Sequence, residues 1–140
     1  MKHVAVGILW RDGTVLACQR KRGGAYPLKW EFPGGKIEQG ESPQQALVRE
    51  LREELAIDAV IGDEIHRQSW GYPGYTPEGG TAVFDVIYFG VGSFTGEPVN
   101  RAFEQIRWVS PAALEGMDIL EGNREAVRRL VVHANRNAGG

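Results

Sequence analysis

The stretch "GGKIEQGESPQQALVRELREELAID", residues 34–58, predicts a helix that presents a row of carboxylates. Ser42 suits an N-cap, Pro43 suits the first helical position, and Gln45 completes a capping box with Ser42. Leucines then recur at helical spacing, so the pattern predicts a helix over residues 43–55. Four residues form an apolar side that is expected to face the core: Leu47, Val48, Leu51 and Leu55.

The same helix carries three carboxylates, Glu50, Glu53 and Glu54, at positions i, i+3 and i+4. Like charges at these spacings destabilise a helix unless something compensates. One interpretation is a solvated face that is partly neutralised by Arg49 and Arg52. The other is the wall of a site, because the stripe borders the core side and follows a Gly-Gly turn.

Clustered carboxylates suit a hard divalent cation such as Mg²⁺, which prefers oxygen ligands and retains water. A backbone carbonyl at the Gly34-Gly35 turn offers a further oxygen, since glycine permits close approach. Zinc is disfavoured because three histidines and one cysteine show no ligand spacing. The sequence also lacks a G-x-x-x-x-G-K-[ST] phosphate loop, a G-x-G-x-x-G motif and a G-x-S-x-G nucleophile motif.

Composition indicates one globular domain over residues 1–140, with 42% hydrophobic and 24% charged residues. The formal net charge of −2 argues against nucleic acid as a partner, so an anionic substrate would be held by local groups or metal ions. The only cysteine, Cys18, cannot form an internal disulfide, which fits a cytoplasmic protein. The apolar run at residues 4–10 is too short to span a bilayer, so no membrane association is expected.

The rest of the chain alternates strand-like and helix-like segments, which predicts a mixed α/β domain. "KHVAVGILW" and "TVLACQR" (residues 2–10 and 14–20) flank Asp12-Gly13, a strong hairpin signal. "KRGGAYPLKWEFPGG" (residues 21–35) predicts a long loop, of a kind that is often functional. Further strands are expected within residues 58–70 and 81–91 and at 104–109, followed by a short helix from Pro111 and a last helix over residues 123–133.

Residues 35–57 resemble the signature of the Nudix hydrolases, G-x5-E-x7-R-E-U-x-E-E-x-G-U, in which U is a bulky aliphatic residue. Ala56 alone departs, standing where the family has glycine; a left-handed helix end at that position would make alanine cost about 1 kcal/mol. The preceding "WEFPGGK" (residues 30–36) is similar to the MutT-like branch, which removes oxidised or unwanted nucleoside triphosphates. The matching positions are Gly35, Glu41, Arg49, Glu50, Leu51, Glu53, Glu54 and Ile57.

This resemblance implies a Nudix fold, in which a mixed β-sheet is sandwiched between α-helices. It also implies hydrolysis of a nucleoside diphosphate linked to another moiety, with Mg²⁺ or Mn²⁺ as cofactor and a small nucleotide as substrate. The metal ligands would be Glu50, Glu53, Glu54 and the carbonyl of Gly35. The general base would be Glu53 or Glu50, between which the sequence does not decide.

Several other roles follow from the same resemblance. Arg49 would pair with Glu41 and hold the loop in register with the helix. Glu104 is a candidate for a further metal ligand, and the alternative is a plain surface glutamate at a strand start. Arg20 is a candidate phosphate contact, and the alternative is a solvated strand-end arginine. Asn123 either reads a purine edge, as in MutT-like enzymes, or simply caps the last helix.

The substrate remains open between four alternatives. A nucleoside triphosphate cleaved to monophosphate and pyrophosphate is favoured by the MutT-like segment. A nucleoside diphosphate sugar, ADP-ribose or a dinucleotide is the second alternative, and the 5′ end of RNA, which needs a basic surface, is the third. The fourth is a silent domain that senses a nucleotide, which the complete glutamate set argues against. A monomer or a homodimer is expected, and the candidates for stacking on the base are Phe32, Trp70, Tyr72 and Tyr75.

Overall fold

The computed structural model describes the backbone of residues 1–139 and, in the last helix, the side chains through residue 136. None of the helices in this range is long and apolar enough to cross a bilayer. In chain order the elements are β1 (Lys2–Arg11), β2 (Thr14–Gln19), β3 (Trp30–Glu31), β4 (Gly34–Lys36), α1 (Pro43–Leu55), β5 (Asp58–Val60), β6 (Glu64–Tyr72), β7 (Ala82–Val91), β8 (Ser93–Thr95), β9 (Gln105–Val109), α2 (Pro111–Glu115), a 3₁₀ turn (Glu121–Asn123) and α3 (Arg124–Gly139).

The main sheet is mixed because β1 pairs parallel with β7, whereas β2 and β4 pair antiparallel with β1. The strand order is β3-β2-β1-β7-β6, with β4 also paired to β1 and β9 also paired to β2. The β1 strand contacts β4 at residues 4–6 and β2 at Trp10 and Arg11. One long strand therefore connects two parts of the sheet, while β5 and β8 form a separate ribbon.

The predicted hairpin between β1 and β2 is confirmed. Asp12 and Gly13 both have positive φ, 52° and 76°, as a tight two-residue hairpin turn requires. Arg11 pairs with Thr14 directly beside the turn. Because side chains alternate along a strand, this register decides which residues of β1 face each layer of helices.

Helices cover both faces of the sheet, as the fold prediction requires. Ala5 and Leu9 of β1 belong to the apolar cluster that includes the leucines of α1. Val6 and Ile8, which alternate with them, belong to the cluster that includes Leu114 of α2 and residues of α3. Alternation along one central strand thus builds both halves of the core.

Several predicted boundaries are wrong. The loop expected over residues 21–35 contains β3 and β4, whose two and three residues are too few for an alternating pattern to be visible. The strands expected within residues 58–70 are present as β5 and β6, but β6 continues to Tyr72, and β8 was not expected. The last helix begins at Arg124 and continues to Gly139. Val48 is only partly buried, and Ala46 takes its place on the buried side of α1.

Candidate active site

The predicted capping box fixes the start of α1. The Gln45 amide donates to the Ser42 hydroxyl at 3.1 Å, and the Ser42 amide donates to the Gln45 side chain at 2.9 Å. Pro43 lies in the first turn, where its missing N–H costs no hydrogen bond. Since the start is fixed, the direction in which each glutamate leaves the helix is fixed as well.

The three glutamates of the stripe differ in exposure although they share one helix. The Glu53 side chain is 59% exposed, whereas that of Glu50 is 17% exposed. Glu54 faces the sheet, where its Oε1 accepts a hydrogen bond from the Gly34 amide at 3.0 Å. The stripe therefore leads from solvent to the interior, and its interpretation as a solvated face partly neutralised by Arg49 and Arg52 is wrong for Glu50 and Glu54.

Gly35 lies directly against the carboxylate of Glu50. It pairs with Ala5 in the ladder between β4 and β1. A Cβ atom at Gly35 would be 2.4 Å from Cδ of Glu50 and 2.6 and 2.7 Å from its two oxygens. Glycine is therefore required here to leave room for the carboxylate beside the backbone.

Arg49 is the centre of the polar contacts around the stripe and is not part of a solvated face. Its guanidinium binds both oxygens of Glu41, with Nε at 2.8 Å and Nη2 at 2.9 Å, so the expected pair forms. It also donates to Glu50 at 2.8 Å and to the Lys36 carbonyl at 3.0 Å, and it lies 3.6 Å from Glu53. The hydrogen bonds from Arg49 lower the pKa of Glu41 to about 2.

Burial raises the pKa of three carboxyl groups that face the interior, which we call the inner glutamates: Glu31, Glu50 and Glu54. It raises the pKa of Glu54 to about 8, against the Gly34 hydrogen bond, and the neighbouring Glu50 and Glu31 carboxylates add to this rise. Burial also raises the pKa of Glu50 despite its bonds with Arg49. The pKa of Glu31 is raised for the same reason. These carboxyl groups therefore hold their protons more tightly than free carboxyls do, because burial and mutual repulsion disfavour the charged forms.

The residues present fit a divalent cation. Carboxylate oxygens beside an open glycine backbone are donors that Mg²⁺ and Mn²⁺ prefer, and a cation would relieve the repulsion that helps to raise the pKa of Glu54. Within the described residues, no three His, Cys, Asp or Glu side chains are arranged to hold an ion as they stand. Arg49 binds Glu50 and the Gly34 amide binds Glu54, so both side chains would turn to share an ion with Glu53.

A cavity of about 280 Å³ opens beside the inner glutamates. One part of its lining consists of Glu31, Glu54 and the backbone of Gly34 and Gly35. Another part carries the amides of Gln68 and Asn123. The apolar lining consists of Val4, Val6, Phe32, Trp70, Tyr72, Tyr75, Phe84, Val86, Tyr88 and Leu120.

Arg20 reaches this cavity, but its guanidinium already has partners. It donates to Glu31 at 3.0 Å, to the Ala25 carbonyl at 2.9 Å and to the Tyr75 hydroxyl at 3.4 Å. The alternative of a solvated strand-end arginine is wrong, because only 19% of the side chain is exposed. A phosphate contact from Arg20 stays a prediction.

Asn123 lines the cavity with the aromatic residues that were candidates for stacking, which are Phe32, Trp70, Tyr72 and Tyr75. It is 8% exposed, and its Oδ1 accepts a hydrogen bond from the Tyr88 hydroxyl at 2.5 Å. In the part of the chain whose side chains are described, the Asn123 side chain caps no helix amide. The N-cap alternative is therefore not supported, and the contact with a purine stays a prediction.

Glu104 lies outside the cavity lining. Its carboxylate is 3.7 Å from Arg22, and its amide donates to the Gln19 carbonyl at 2.9 Å. The segment before Glu104 runs alongside the end of α1, where the Arg101 amide donates to the Glu54 carbonyl at 3.0 Å. Its backbone thus runs close to the acidic helix, and its role as a ligand stays a prediction.

The polar residues of the cavity that the sequence did not single out include Glu31, Gln68 and Tyr88. Glu31 was hidden in a segment expected to be a loop. A signal for the other two does exist, because residues 68, 70 and 72 of β6 and residues 84, 86 and 88 of β7 all line the cavity. Polar residues in phase with an aromatic row on a strand indicate a lined pocket rather than a plain core.

Comparison with protein families matches the NUDIX domain to residues 1–130. The chain is a Nudix hydrolase. The 8-oxo-dGTP diphosphatase of Haemophilus influenzae is 33% identical over 130 residues, covering 92% of this chain and 90% of the relative. The CTP pyrophosphohydrolase of Escherichia coli is 41% identical over 87 residues, covering 54% of this chain and 64% of the relative.

A solved structure of MutT, from work on the Aliivibrio salmonicida and Vibrio cholerae proteins, has a TM-score of 0.72. It is 28% identical and covers 94% of this chain and 98% of that structure. The chain is therefore a Nudix pyrophosphohydrolase of the MutT-like branch. The resemblance found in the sequence is confirmed in both family and fold.

This Nudix enzyme departs from the family signature at Ala56, and the structure shows how the helix still ends. Ala56 caps α1 in the left-handed conformation, with φ 58° and ψ 34°. Its amide donates to the Arg52 carbonyl at 3.1 Å. Alanine thus adopts the conformation that glycine adopts more easily, at a cost of about 1 kcal/mol. The three glutamates of the stripe precede this cap in the chain.

Proposed function

We propose that the enzyme hydrolyses a nucleoside triphosphate to the monophosphate and pyrophosphate, with Mg²⁺ or Mn²⁺ as cofactor. The observation that carries the proposal is one cavity lined by the carboxylates of Glu31 and Glu54, by aromatic rings and by the side-chain amides of Gln68 and Asn123. The carboxylates can share a cation with phosphates, and the rings can stack on a base. The names of the relatives, 8-oxo-dGTP diphosphatase and CTP pyrophosphohydrolase, support the triphosphate class.

Charge explains why a cation is part of the proposal. A triphosphate is polyanionic, the protein has a net charge of −2, and Arg20 is already paired with Glu31. Nudix hydrolases generally use a divalent metal. When bound, the ion supplies charge neutralisation and a lowered pKa of bound water. The residues that would hold it are Gly35, Glu50, Glu53, Glu54 and, from the neighbouring segment, Glu104.

The remaining chemistry belongs to the side chains of the helix. We assign proton abstraction from the attacking water to Glu53 or Glu50. Glu53 is accessible to solvent, and Glu50 is oriented by its hydrogen bond to Arg49. Arg49, which is itself held by Glu41, binds Glu50 and so holds its carboxylate beside Gly35. Positioning of this kind lowers the entropic part of the barrier.

Base binding is assigned to the aromatic and amide part of the cavity. Phe32 and the neighbouring rings provide the apolar surface, and Asn123 provides a polar group for the edge of the base. The position of Asn123 in the lining of the cavity supports this assignment. Arg20, at the Glu31 side of the same cavity, is the proposed phosphate contact.

A nucleotide panel tests the substrate class. The metal-loaded enzyme is incubated with nucleoside triphosphates, including 8-oxo-dGTP and CTP, and with ADP-ribose, a nucleoside diphosphate sugar, a dinucleotide and 5′-triphosphorylated RNA. Release of monophosphate and pyrophosphate from triphosphates with the highest kcat/KM is the expected result. Faster cleavage of any other class would replace the proposal with that class, and binding without turnover would make the protein a sensor.

Variants test the metal site independently of the substrate. Excess chelator should abolish turnover, and Glu53→Gln or Glu54→Gln should each lower kcat by orders of magnitude while the protein stays folded. Glu115→Gln, on the exposed side of α2, is the matched control and should keep full turnover. Full activity in chelator, or near-normal turnover of either glutamine variant, would overturn the metal assignment.

A further inference from the structure

A hydrogen bond fixes the orientation of the Asn123 amide. The Tyr88 hydroxyl donates to Oδ1 of Asn123, although the two residues are 35 positions apart in the chain. Tyr88 is 1% exposed and Asn123 is 8% exposed, so water does not compete for this bond. In the structure the hydroxyl bonds the amide oxygen, so the amide nitrogen points the other way.

The amide nitrogen of Asn123 is left as a free donor at the cavity. Among the residues whose side chains are described, no acceptor binds it, and Asn123 is part of the cavity lining. Burial raises the pKa of the Tyr88 hydroxyl, so the phenol stays protonated and remains a donor across the physiological pH range. Asn123 therefore presents an N–H group to the cavity, while its side-chain oxygen is already bonded to Tyr88.

The backbone beside Asn123 is held by side chains of β6. The Gln68 side chain donates to the Gly122 carbonyl, and the Gly122 amide donates to the Tyr72 hydroxyl at 2.8 Å. A Cβ atom at Gly122 would be 2.9 Å from the Trp70 ring, so the 3₁₀ turn packs tightly against β6. The His66 ring packs on Tyr88, with ring centroids 5.5 Å apart. Both partners of the Tyr88–Asn123 bond are thus kept in place.

We propose that Tyr88 is a specificity-determining residue, which holds the Asn123 amide with its nitrogen toward the substrate and so selects a base with a keto oxygen over one with an exocyclic amino group. The inference rests on the proposed function, since it concerns the base of the triphosphate. A keto oxygen accepts from the Asn123 nitrogen. An amino group at the same place would set donor against donor and leave both unpaired.

Two purine triphosphates compare the two groups. In dITP position 6 carries a keto oxygen and N1 carries a hydrogen, whereas in dATP position 6 carries an amino group and N1 is an acceptor; sugar and phosphates are the same. The wild-type enzyme should show a higher kcat/KM for dITP. Tyr88→Phe keeps the ring but frees the amide to turn, so the dITP to dATP ratio should fall about fivefold, mainly through KM. Tyr26→Phe, which removes an exposed hydroxyl bonded to the Pro73 carbonyl, is the control and should keep the wild-type ratio.

A double-mutant cycle separates this role from simple packing. In an Asn123→Ala background, Tyr88→Phe should leave the ratio unchanged, because the amide that it positions is absent. An equal fall of the ratio in both backgrounds would overturn the proposal, and so would a wild-type ratio near one. If no nucleoside triphosphate is cleaved, the proposed function fails as well. If triphosphates are cleaved but Tyr88→Phe leaves the dITP to dATP ratio unchanged, only the role of Tyr88 is refuted.

Asn123→Asp provides a second variant in case Tyr88→Phe does not fold. Aspartate still accepts from Tyr88 but places a carboxylate oxygen where the amide nitrogen was. The dITP to dATP ratio should then reverse, because the amino group of dATP can donate to that oxygen. A ratio that stays at its wild-type value in this variant would overturn the proposed orientation of the amide.

Discussion

Arg49 binds Glu41 through two parallel hydrogen bonds of 2.8 and 2.9 Å. Because Glu41 lies in the segment before α1 and Arg49 lies on the helix, this pair connects the loop to the stripe of carboxylates. The same guanidinium donates to Glu50 at 2.8 Å. The planar Arg49 guanidinium, whose donors have a fixed geometry, therefore sets the position of Glu50 relative to the loop.

Arg49→Lys should lower kcat more than it lowers stability. A lysine ammonium keeps the charge but cannot bind Glu41 with two parallel bonds and Glu50 at the same time. We expect kcat to fall by about 10- to 100-fold, because Glu50 loses its fixed orientation. Arg52→Lys is the matched control on the same helix, where the arginine is exposed and pairs with Asp58. Equal kinetics for the two variants would contradict the positioning role of Arg49.

Gly35→Ala and Gly34→Ala should fail in different ways. A Cβ atom at Gly35 meets only the end of the Glu50 side chain, which can move, so the protein should fold and lose kcat by orders of magnitude. A Cβ atom at Gly34 would be 2.2 Å from the Ala5 carbonyl oxygen, a backbone atom, so that variant should lose thermal stability. Gly24→Ala meets nothing within 4 Å and is the control. Thermal unfolding and turnover of the three variants measure both effects.

The metal-free enzyme should become less stable as the pH rises. Folding raises the pKa of Glu54 from 4.5 to about 8, so below pH 4.5 the carboxyl is protonated in both states and its contribution to stability is fully present. Between the two values the folded state holds one more proton, and stability falls by up to about 1.4 kcal/mol per pH unit. Urea unfolding in chelator at several pH values measures this slope.

Glu54→Gln tests the origin of that slope. Glutamine can still accept from the Gly34 amide but does not ionise, so this variant should lose most of the dependence between pH 5 and pH 8. Glu115→Gln, an exposed glutamate on α2, should retain it. If the Glu54→Gln variant kept the wild-type slope, another group would be responsible for the pH dependence.

Local patterns account for the parts of the structure that the sequence predicted. The capping box, the Asp12-Gly13 hairpin and the acidic stripe involve residues a few positions apart, and their geometry follows from one helix or one turn. The match at Gly35 and Glu50 has a steric basis, since the glycine makes room for the carboxylate. These features could be found without knowing which strands are neighbours.

Contacts between distant segments could not be predicted in the same way. Tyr88 of β7 contacts Asn123 only because the 3₁₀ turn packs on the face of the sheet from which the Tyr88 side chain projects. Glu31 lies in a two-residue strand whose pairing with β2 brings it to Arg20. Neither strand order nor the pairing of such short strands leaves a periodic pattern in the sequence.

The left-handed end of α1 leads to the last prediction. Ala56 has φ 58°, where a Cβ atom lies close to the following carbonyl, and glycine at this position would remove that strain. Glycine also gives the unfolded chain more freedom, which offsets part of the gain. We expect Ala56→Gly to raise the free energy of unfolding by about 0.5 kcal/mol and to increase Tm by a few degrees.

Turnover of Ala56→Gly should stay close to that of the wild type. The end of α1 is held by hydrogen bonds that this substitution keeps, from the Val99 amide to the Leu55 carbonyl at 2.8 Å and from the Arg101 amide to the Glu54 carbonyl at 3.0 Å. Ala46→Gly, in the interior of the same helix, should instead lower stability by about 1 kcal/mol or more. A large loss of kcat in folded Ala56→Gly would show that the helix end and the glutamates are coupled, and that alanine at this position is part of the catalytic geometry.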